Sequence, residues 1–475
     1  WIGYIQWLRD NGFGAPADPI LKPLDTIKHM DAILAFDAEG KPVEPEWPEA
    51  DVIVGNPPFL GGYKMRQEMG SKYVDQLFSL YEDRIPAAAD LVCYWFELAR
   101  SLVVLGKVGR VGLLATNSIR GGPGRKVIQR IKDTGGIFMA WSDRPWVLNG
   151  ADVRVSIVGF DAGSEEIHTL DGGSVQTINP DLTASFNVTT AKRLTENFDL
   201  SFRGDTKGGA FDIIEGDAAR MLKAPANPNG RTNYDVLRPW VNGLDVVRRP
   251  RGMWIIDFGV SMSEDEAALY EKPYEHVRTL VKPERAKGNR AAYRERWWIH
   301  MEARPALRQA IAQIERYIVT PAVAKYRIFV WLRHPTLPDQ QLIVIARSDD
   351  YFFGVLHSKL HQIWSLRMAT WLGVGNDPRY TPTSTFLTFP FPWPPGQEPP
   401  DDGRVQAIAQ AARELVEKRD AWLNPPSASD ADLKKRTLTN LYNARPAWLD
   451  LAHKKLDAAV LDAYGWPRDL GDEDI

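Results

Sequence analysis

In the first third of this chain, short apolar runs that stop at turn residues alternate with longer runs of helical spacing. Val52-Ile53-Val54 stops at Gly55-Asn56-Pro57-Pro58. Val111-Gly112-Leu113-Leu114-Ala115-Thr116 stops at Asn117-Ser118 and reads as a buried parallel strand. Between the two, Leu91 to Leu105 predicts a helix behind Asp90, a residue type that caps well. Arg125 to Lys132 predicts another after the Gly121-Gly122-Pro123-Gly124 loop, and Gly136 to Ala140 and Val153 to Phe160 predict two more strands. Strand, helix, strand, helix and two closely spaced strands make a doubly wound α/β sheet that ends in an antiparallel hairpin. Such sheets bind ligands beyond the carboxyl ends of their strands. Asn56 falls at that edge.

The flanking stretches are less regular. Trp1 to Leu8 has helical spacing with no capping residue ahead of it, and Ile20 to Leu34 mixes loop and short-strand character. After Ser164 the composition turns polar, with Gly172-Gly173 at a hairpin turn, which predicts a linker or edge ribbon. A domain denser in Arg and aromatics follows. Its pattern predicts a helix from Val355 to Leu372 bearing Trp364, Arg367 and Trp371, ended by Gly373. Pro390 to Pro400 is a stiff extended linker, and Arg404 to Leu423 and Ala431 to Tyr464 are mostly helical. The expected division is 1–165, 166–197, 198–395 and 396–475.

Composition narrows the function. A single cysteine, Cys93, excludes an internal disulfide and a cysteine-rich zinc site and suits a reducing cytoplasm. No apolar run is long enough to cross a bilayer, so no membrane partner is expected. No metal site is legible either: His357 and His361 share a helix face, but helix packing accounts for them. A net charge of −3 means that any surface for nucleic acid must be local. One window qualifies. Between Arg278 and Arg333 stand thirteen Lys or Arg against four Glu, with Tyr293, Trp297, Trp298, Tyr326 and Trp331 threaded among them. Interleaved bases and aromatics suit a groove that tracks phosphates and wedges bases, and solvated helix faces produce similar counts. Arg290, Arg294 and Arg296 are the candidate DNA contacts in this window.

The Asn56-Pro57-Pro58-Phe59 turn carries the sharpest chemistry. The two prolines lack N–H groups and fix φ, so the turn presents carbonyl oxygens on a rigid frame. An amide oxygen and a fixed carbonyl together accept both hydrogens of an exocyclic amino group, which frees the nitrogen lone pair for attack. Phe59 offers a flat face for an extruded base. This turn resembles the Asn-Pro-Pro-aromatic motif of S-adenosylmethionine-dependent amino-methyltransferases, above all the adenine-N6 DNA enzymes. Glutamine methyltransferases share it, usually with Tyr in fourth place. Downstream, Asn376-Asp377-Pro378-Arg379-Tyr380 after a helix resembles the target-recognition domain of single-chain type IIG and IIL restriction–modification enzymes.

The resemblance implies a Rossmann-like class I methyltransferase domain followed by an α+β target-recognition domain and a helical C-terminal segment. It implies S-adenosyl-L-methionine as cofactor, double-stranded DNA as partner, and a flipped target adenine. Asn56, Pro57, Pro58 and Phe59 become the expected catalytic turn. Asp31, with Asp25 as rival, is the expected contact to the cofactor's adenine amino group, beside Asn56. Arg379 and Tyr380 are expected to face DNA from a rigid turn. The glycine-rich cofactor loop of such enzymes is not found between Trp1 and Gly55, so the chain is read as starting midway through the catalytic domain and stopping short of a final helix. An upstream nuclease and methyltransferase segment would then precede it. Two other readings stay open: a DNA-binding specificity module without catalysis, and methylation of protein glutamine or RNA.

Overall fold

The computed structural model describes residues 2–13, 27–62, 64–148, 151–184, 191–288, 290–372 and 377–471. The chain divides into two compact units, one of residues 1–115, 126–141 and 157–178 and one of the remainder. The overall class is mixed α/β.

A six-stranded sheet runs in the order Val52–Gly55, Arg110–Thr116, Ala151–Asp161, Gly136–Leu148, His168–Leu170, Gly173–Val175. All four strands expected from the apolar runs are present. Val52–Gly55 lies parallel to Arg110–Thr116 with Gly55 opposite Leu113, and Gly136–Leu148 lies parallel to His168–Leu170. The last two strands are antiparallel and join through Asp171 and Gly172, both at positive φ. Part of the expected linker therefore extends the sheet. The Val52–Gly55 strand is less covered than its composition suggests: Val54 is 83% exposed, because this is the sheet's edge and side chains alternate between its faces.

The helix behind Asp90 spans Cys93–Val104, with Val92 in the capping position and no side-chain cap. Its Glu97 is fully buried and anchors the first unit. Arg100 donates to the two Glu97 oxygens at 2.7 and 2.9 Å, and Arg130 donates to the same pair at 3.3 Å. Burial works against ionisation here, and the guanidiniums outweigh it, holding the Glu97 carboxyl below its usual pKa. That contribution to stability is present at neutral pH and is lost as pH falls through the lowered value.

The second unit holds two four-stranded sheets. One runs Val330–Arg333, Arg316–Pro321, Leu342–Ile345, Ser201–Arg203, with every neighbouring pair antiparallel. The other runs Asp212–Ile213, Trp254–Ile256, Leu237–Val241, Leu337–Pro338. The helix expected from Val355 to Leu372 is two helices, Asp350–His357 and Lys359–Arg367, followed by a strand at Thr370–Leu372. Ser358 makes the break. Its backbone is extended, and its hydroxyl donates to Val355 O while accepting from His361 N–H. The Ala431 to Tyr464 run is likewise interrupted and forms Asp430–Lys435, Leu438–Ala444 and Ala447–Tyr464. Gly354 lets the helices cross closely, since a Cβ there would lie 2.7 Å from the Ile408 side chain.

Three histidines stand in this helical core as neutral rings, His357 and His361 buried and His453 half-buried. His361 Nδ1 donates to Leu356 O at 2.9 Å, which leaves Nε2 to accept from the Tyr380 hydroxyl at 3.1 Å. His357 accepts from Phe329 N–H and reaches the Tyr442 hydroxyl at 3.0 Å, and that hydroxyl reaches His453 Nε2 at 3.0 Å. Burial holds His361 at about 3 and His453 at about 4, and puts His357 well below its usual value. Asp457 opposes them, pushed up by burial to about 6.

Two outcomes are expected. Glu97→Ala strands the buried Arg100 guanidinium and should cost about 3–5 kcal/mol in chemical denaturation. The histidines bind protons in the unfolded chain first, so their contribution is intact above about pH 6.5 and shrinks as pH falls toward 4. Asp457 runs the other way, its contribution being lost as pH rises toward 6, but it is one group against three. The thermal midpoint should therefore fall between pH 6.5 and 4.5, and His361→Gln should show a shallower fall than the parent.

Candidate functional site

The Asn56 turn leaves the carboxyl end of the edge strand. Asn56 and Pro58 are exposed, Pro57 is buried and Phe59 is half-buried. Among the described residues the Asn56 side chain has no hydrogen-bond partner, and the Pro57 carbonyl accepts none. The turn thus has an amide and a carbonyl to offer, with one proline anchored beneath them. The loop from Leu60 to Gly62 is docked on the chain ahead of the next helix. Leu91 N–H donates to Leu60 O at 2.9 Å and Gly62 N–H donates to Asp90 Oδ1 at 3.3 Å. A Cβ on Gly62 would lie 2.7 Å from Ala89 O, so only glycine permits this approach. Asp90, expected as a helix cap, holds this loop; that role lies in long-range contacts and has no local signal in the sequence.

Asp31 is exposed, and its carboxylate already accepts three bonds. Ile33 N–H and Leu34 N–H donate to Oδ1 at 2.9 and 3.1 Å, and the Tyr73 hydroxyl donates to Oδ2 at 2.8 Å. Burial and this bond push the Tyr73 phenol well up. A carboxylate has about four acceptor positions, so one remains. That donor set fits a cofactor presenting an amino group. Tyr73 was not anticipated from the sequence. Asp25 lies outside the described residues.

In the second unit the basic window is partly consumed by the fold. Arg308 bridges Asp205 and Asp257 at 2.7 Å each, Arg316 pairs with Asp350, and Arg285 is buried against the carbonyls of Gly208, Ile299 and Lys207. Asp205, Asp257 and Asp350 lie outside the window, so a count within it overstates the free charge. Arg290, Arg294 and Arg296 are exposed, and each donates only to a neutral oxygen: Tyr293 Oη, Gly288 O and Val260 O. The aromatics differ more from expectation. Trp297 and Trp298 are buried core residues, and Trp331 is stacked on Phe353 beneath Arg316. They have no free face for a base, because one domain core needs them.

Arg379 and Tyr380 part company as well. Arg379 is half-buried in the strand Asp377–Arg379, whereas Tyr380 is 1% exposed and spends its hydroxyl on His361. Tyr380 therefore fixes the turn from within. Arg327, unremarked in the sequence, lies under it: its guanidinium donates to Thr320 Oγ1, Pro321 O and Pro378 O and sits 4.9 Å from the Tyr380 ring. With no carboxylate at hand, burial lowers its pKa to about 10.

Among the described residues no three His, Cys, Asp or Glu are grouped to hold a metal ion, and no helix is long and apolar enough to cross a membrane. No curated protein matches the chain. Among solved structures, the type IIL restriction–modification enzyme MmeI in complex with DNA superposes with a TM-score of 0.70 at 18% identity, over 89% of this chain and 55% of that one. The type IIG restriction endonuclease BpuSI matches with a TM-score of 0.25 at 12% identity, over 87% of this chain and 54% of that one. The chain thus spans about half the length of these two structures, and the MmeI superposition establishes likeness of fold. Residues 21–170 match the family described as MmeI, DNA-methyltransferase domain.

Proposed function

We propose that this chain is the methyltransferase and target-recognition part of a restriction–modification enzyme. It transfers a methyl group from S-adenosyl-L-methionine to N6 of adenine in double-stranded DNA, with the target nucleotide flipped from the duplex. The observation that carries this reading is the exposed Asn56 amide, without a hydrogen-bond partner among the described residues, at the carboxyl end of a strand and on a proline-fixed turn. Asn56 Oδ1 and the Pro57 carbonyl accept the two amino hydrogens, holding the nitrogen lone pair out of the ring. Phe59 stacks on the extruded base, and Pro58 keeps the turn from relaxing. The cofactor, when bound, supplies the methyl group as an electrophile. Asp31, with its last acceptor position, takes an amino hydrogen of the cofactor's adenine, and Tyr73 fixes the carboxylate's orientation.

On the recognition side, Arg290, Arg294 and Arg296 contact phosphates, and Arg379 reaches a base edge. Tyr380 supports Arg379 and touches no DNA. The MmeI structure is itself a DNA complex, which supports the choice of partner.

Four variants test this. Asn56→Ala should abolish methylation of co-expressed plasmid, read by methylation-sensitive digestion, and leave duplex affinity within about twofold, since such an acceptor arrangement acts on the reacting group. Normal methyl transfer by that variant ends the assignment. Replacing Arg290, Arg294 and Arg296 by Gln should flatten the salt dependence of binding by about 0.9 in log K per log salt for each phosphate no longer neutralised. Arg379→Ala should instead relax preference at one site position by about 1–3 kcal/mol in a randomised-site methylation library. Tyr380→Phe should lower stability by about 1 kcal/mol and leave site preference unchanged.

A further inference from the structure

Three arginines from distant parts of the sequence are brought to one ledge by the backbone of the second unit. Arg203 ends the edge strand Ser201–Arg203, opposite Ile343, and its Nε donates to Gln340 O at 2.9 Å. The next residue, Gly204, donates its N–H to Leu342 O at 2.9 Å and accepts at its carbonyl from Arg304 Nε at 3.2 Å. On the other side of the same 340–342 segment, Ala322 N–H donates to Gln341 O at 2.7 Å. Ala322 O then accepts from Tyr380 N–H at 2.7 Å, and Arg379 pairs with Val323. A short relay of backbone bonds thus ties all three residues together.

The ledge is tightly built. A Cβ on Gly204 would lie 2.1 Å from Asp339 O, so no other residue fits there. Arg304 holds a left-handed backbone, φ 50°, just ahead of the helix Pro305–Ile311. A non-glycine residue is strained in that conformation, and the surrounding structure must offset the strain. Charge is only partly compensated. Arg304 reaches the Glu302 carboxylate, whereas among the described residues Arg203 and Arg379 form no ion pair. Asp339 is close but buried, and its Oδ1 accepts from Gln341 N–H. Burial, then Arg379 and Arg304, lower the pKa of Arg203, which agrees with the proximity that the bonds establish. With Nε of Arg203 and of Arg304 fixed on carbonyls, their outer nitrogens are oriented before any ligand arrives.

We infer that Arg203 and Arg304, beside Arg379, grip a backbone phosphate of duplex DNA, at a surface built separately from the Arg290 to Arg296 run. The inference rests on the reading that this chain binds DNA. A guanidinium fork matches two phosphate oxygens, and an oriented pair loses less entropy on binding than free side chains do. Gripping a phosphate at this point would set the register with which Arg379 meets the bases.

The test uses the 475-residue chain, a mixed-sequence DNA duplex and a series of salt concentrations. Arg203→Gln should reduce the slope of log K against log salt, the double change Arg203→Gln with Arg304→Gln should reduce it by about 0.9, the contribution of one phosphate, and Arg203→Lys should retain the parental slope. An unchanged slope in Arg203→Gln, with a flattened one when Arg290, Arg294 and Arg296 are neutralised, overturns the ledge and leaves the DNA reading standing. If Arg203→Gln and Arg203→Lys lose affinity alike with lowered melting temperatures, the residue serves the fold and the ledge is again overturned. If the parent chain binds no duplex at any salt, the DNA reading itself fails and takes the ledge with it.

Discussion

Buried charge is the constraint on which both units depend. An ion taken out of water must be met by opposite charge or by several oriented dipoles, or it does not stay ionised. In the first unit Glu97 is met by Arg100 and Arg130, which ties the Cys93–Val104 helix to the Gly122–Thr134 helix. In the second, Arg308 bridges Asp205 and Asp257, and His300 stands 2.9 Å from Asp205. Burial opposes a proton on His300, and the two carboxylates outweigh it, so its pKa is raised. Arg327 has carbonyls and a hydroxyl where the others have carboxylates. Each of these groups admits few neighbours, and each therefore fixes the segments that supply them.

This constraint explains what the sequence made legible. The strands Arg110–Thr116 and Ala151–Asp161 could be read because buried apolar runs leave a local trace. The Asn56 turn could be read because a strand end, two prolines and an aromatic are all adjacent. Free charge could not be read, because the partners of Arg308 and Arg316 are supplied by residues far from them along the chain. A window rich in arginine is thus as compatible with a fold that uses its cations internally as with a surface that presents them. The tryptophans follow the same logic: Trp297 and Trp298 directly follow Arg294 and Arg296 in sequence but face the core in space.

The misplaced helix boundaries have a related cause. Apolar spacing runs through Ser358 without interruption, so the pattern alone continues the helix. What breaks it is a hydroxyl that competes for Val355 O and His361 N–H and turns the backbone to extended geometry. The break has a use. It sets His361 at the start of a new helix, where its ring reaches Tyr380 and holds the turn that bears Arg379. A continuous helix would rotate His361 to a different bearing relative to His357, and the hydroxyl of Tyr380 would then lose its bond to His361.

The two candidate surfaces are built on the same principle, a strained or exposed segment held by well-bonded backbone. At the Asn56 turn the prolines restrict the chain, and the Leu60–Leu91 and Gly62–Asp90 bonds anchor the loop beyond them. At the arginine ledge, the bonds through Gln340, Gln341 and Ala322 hold the backbone, and Arg304 keeps its left-handed geometry. Glycine enters both for one reason, that another segment's carbonyl approaches too closely for a Cβ: Ala89 O at Gly62 and Asp339 O at Gly204. A side chain that must act on a ligand needs a fixed origin more than a fixed end. In both places the residues that anchor the neighbouring backbone, Gly62 and Asp90 at one and Gly204, Gln341 and Ala322 at the other, never meet the ligand and carry no motif.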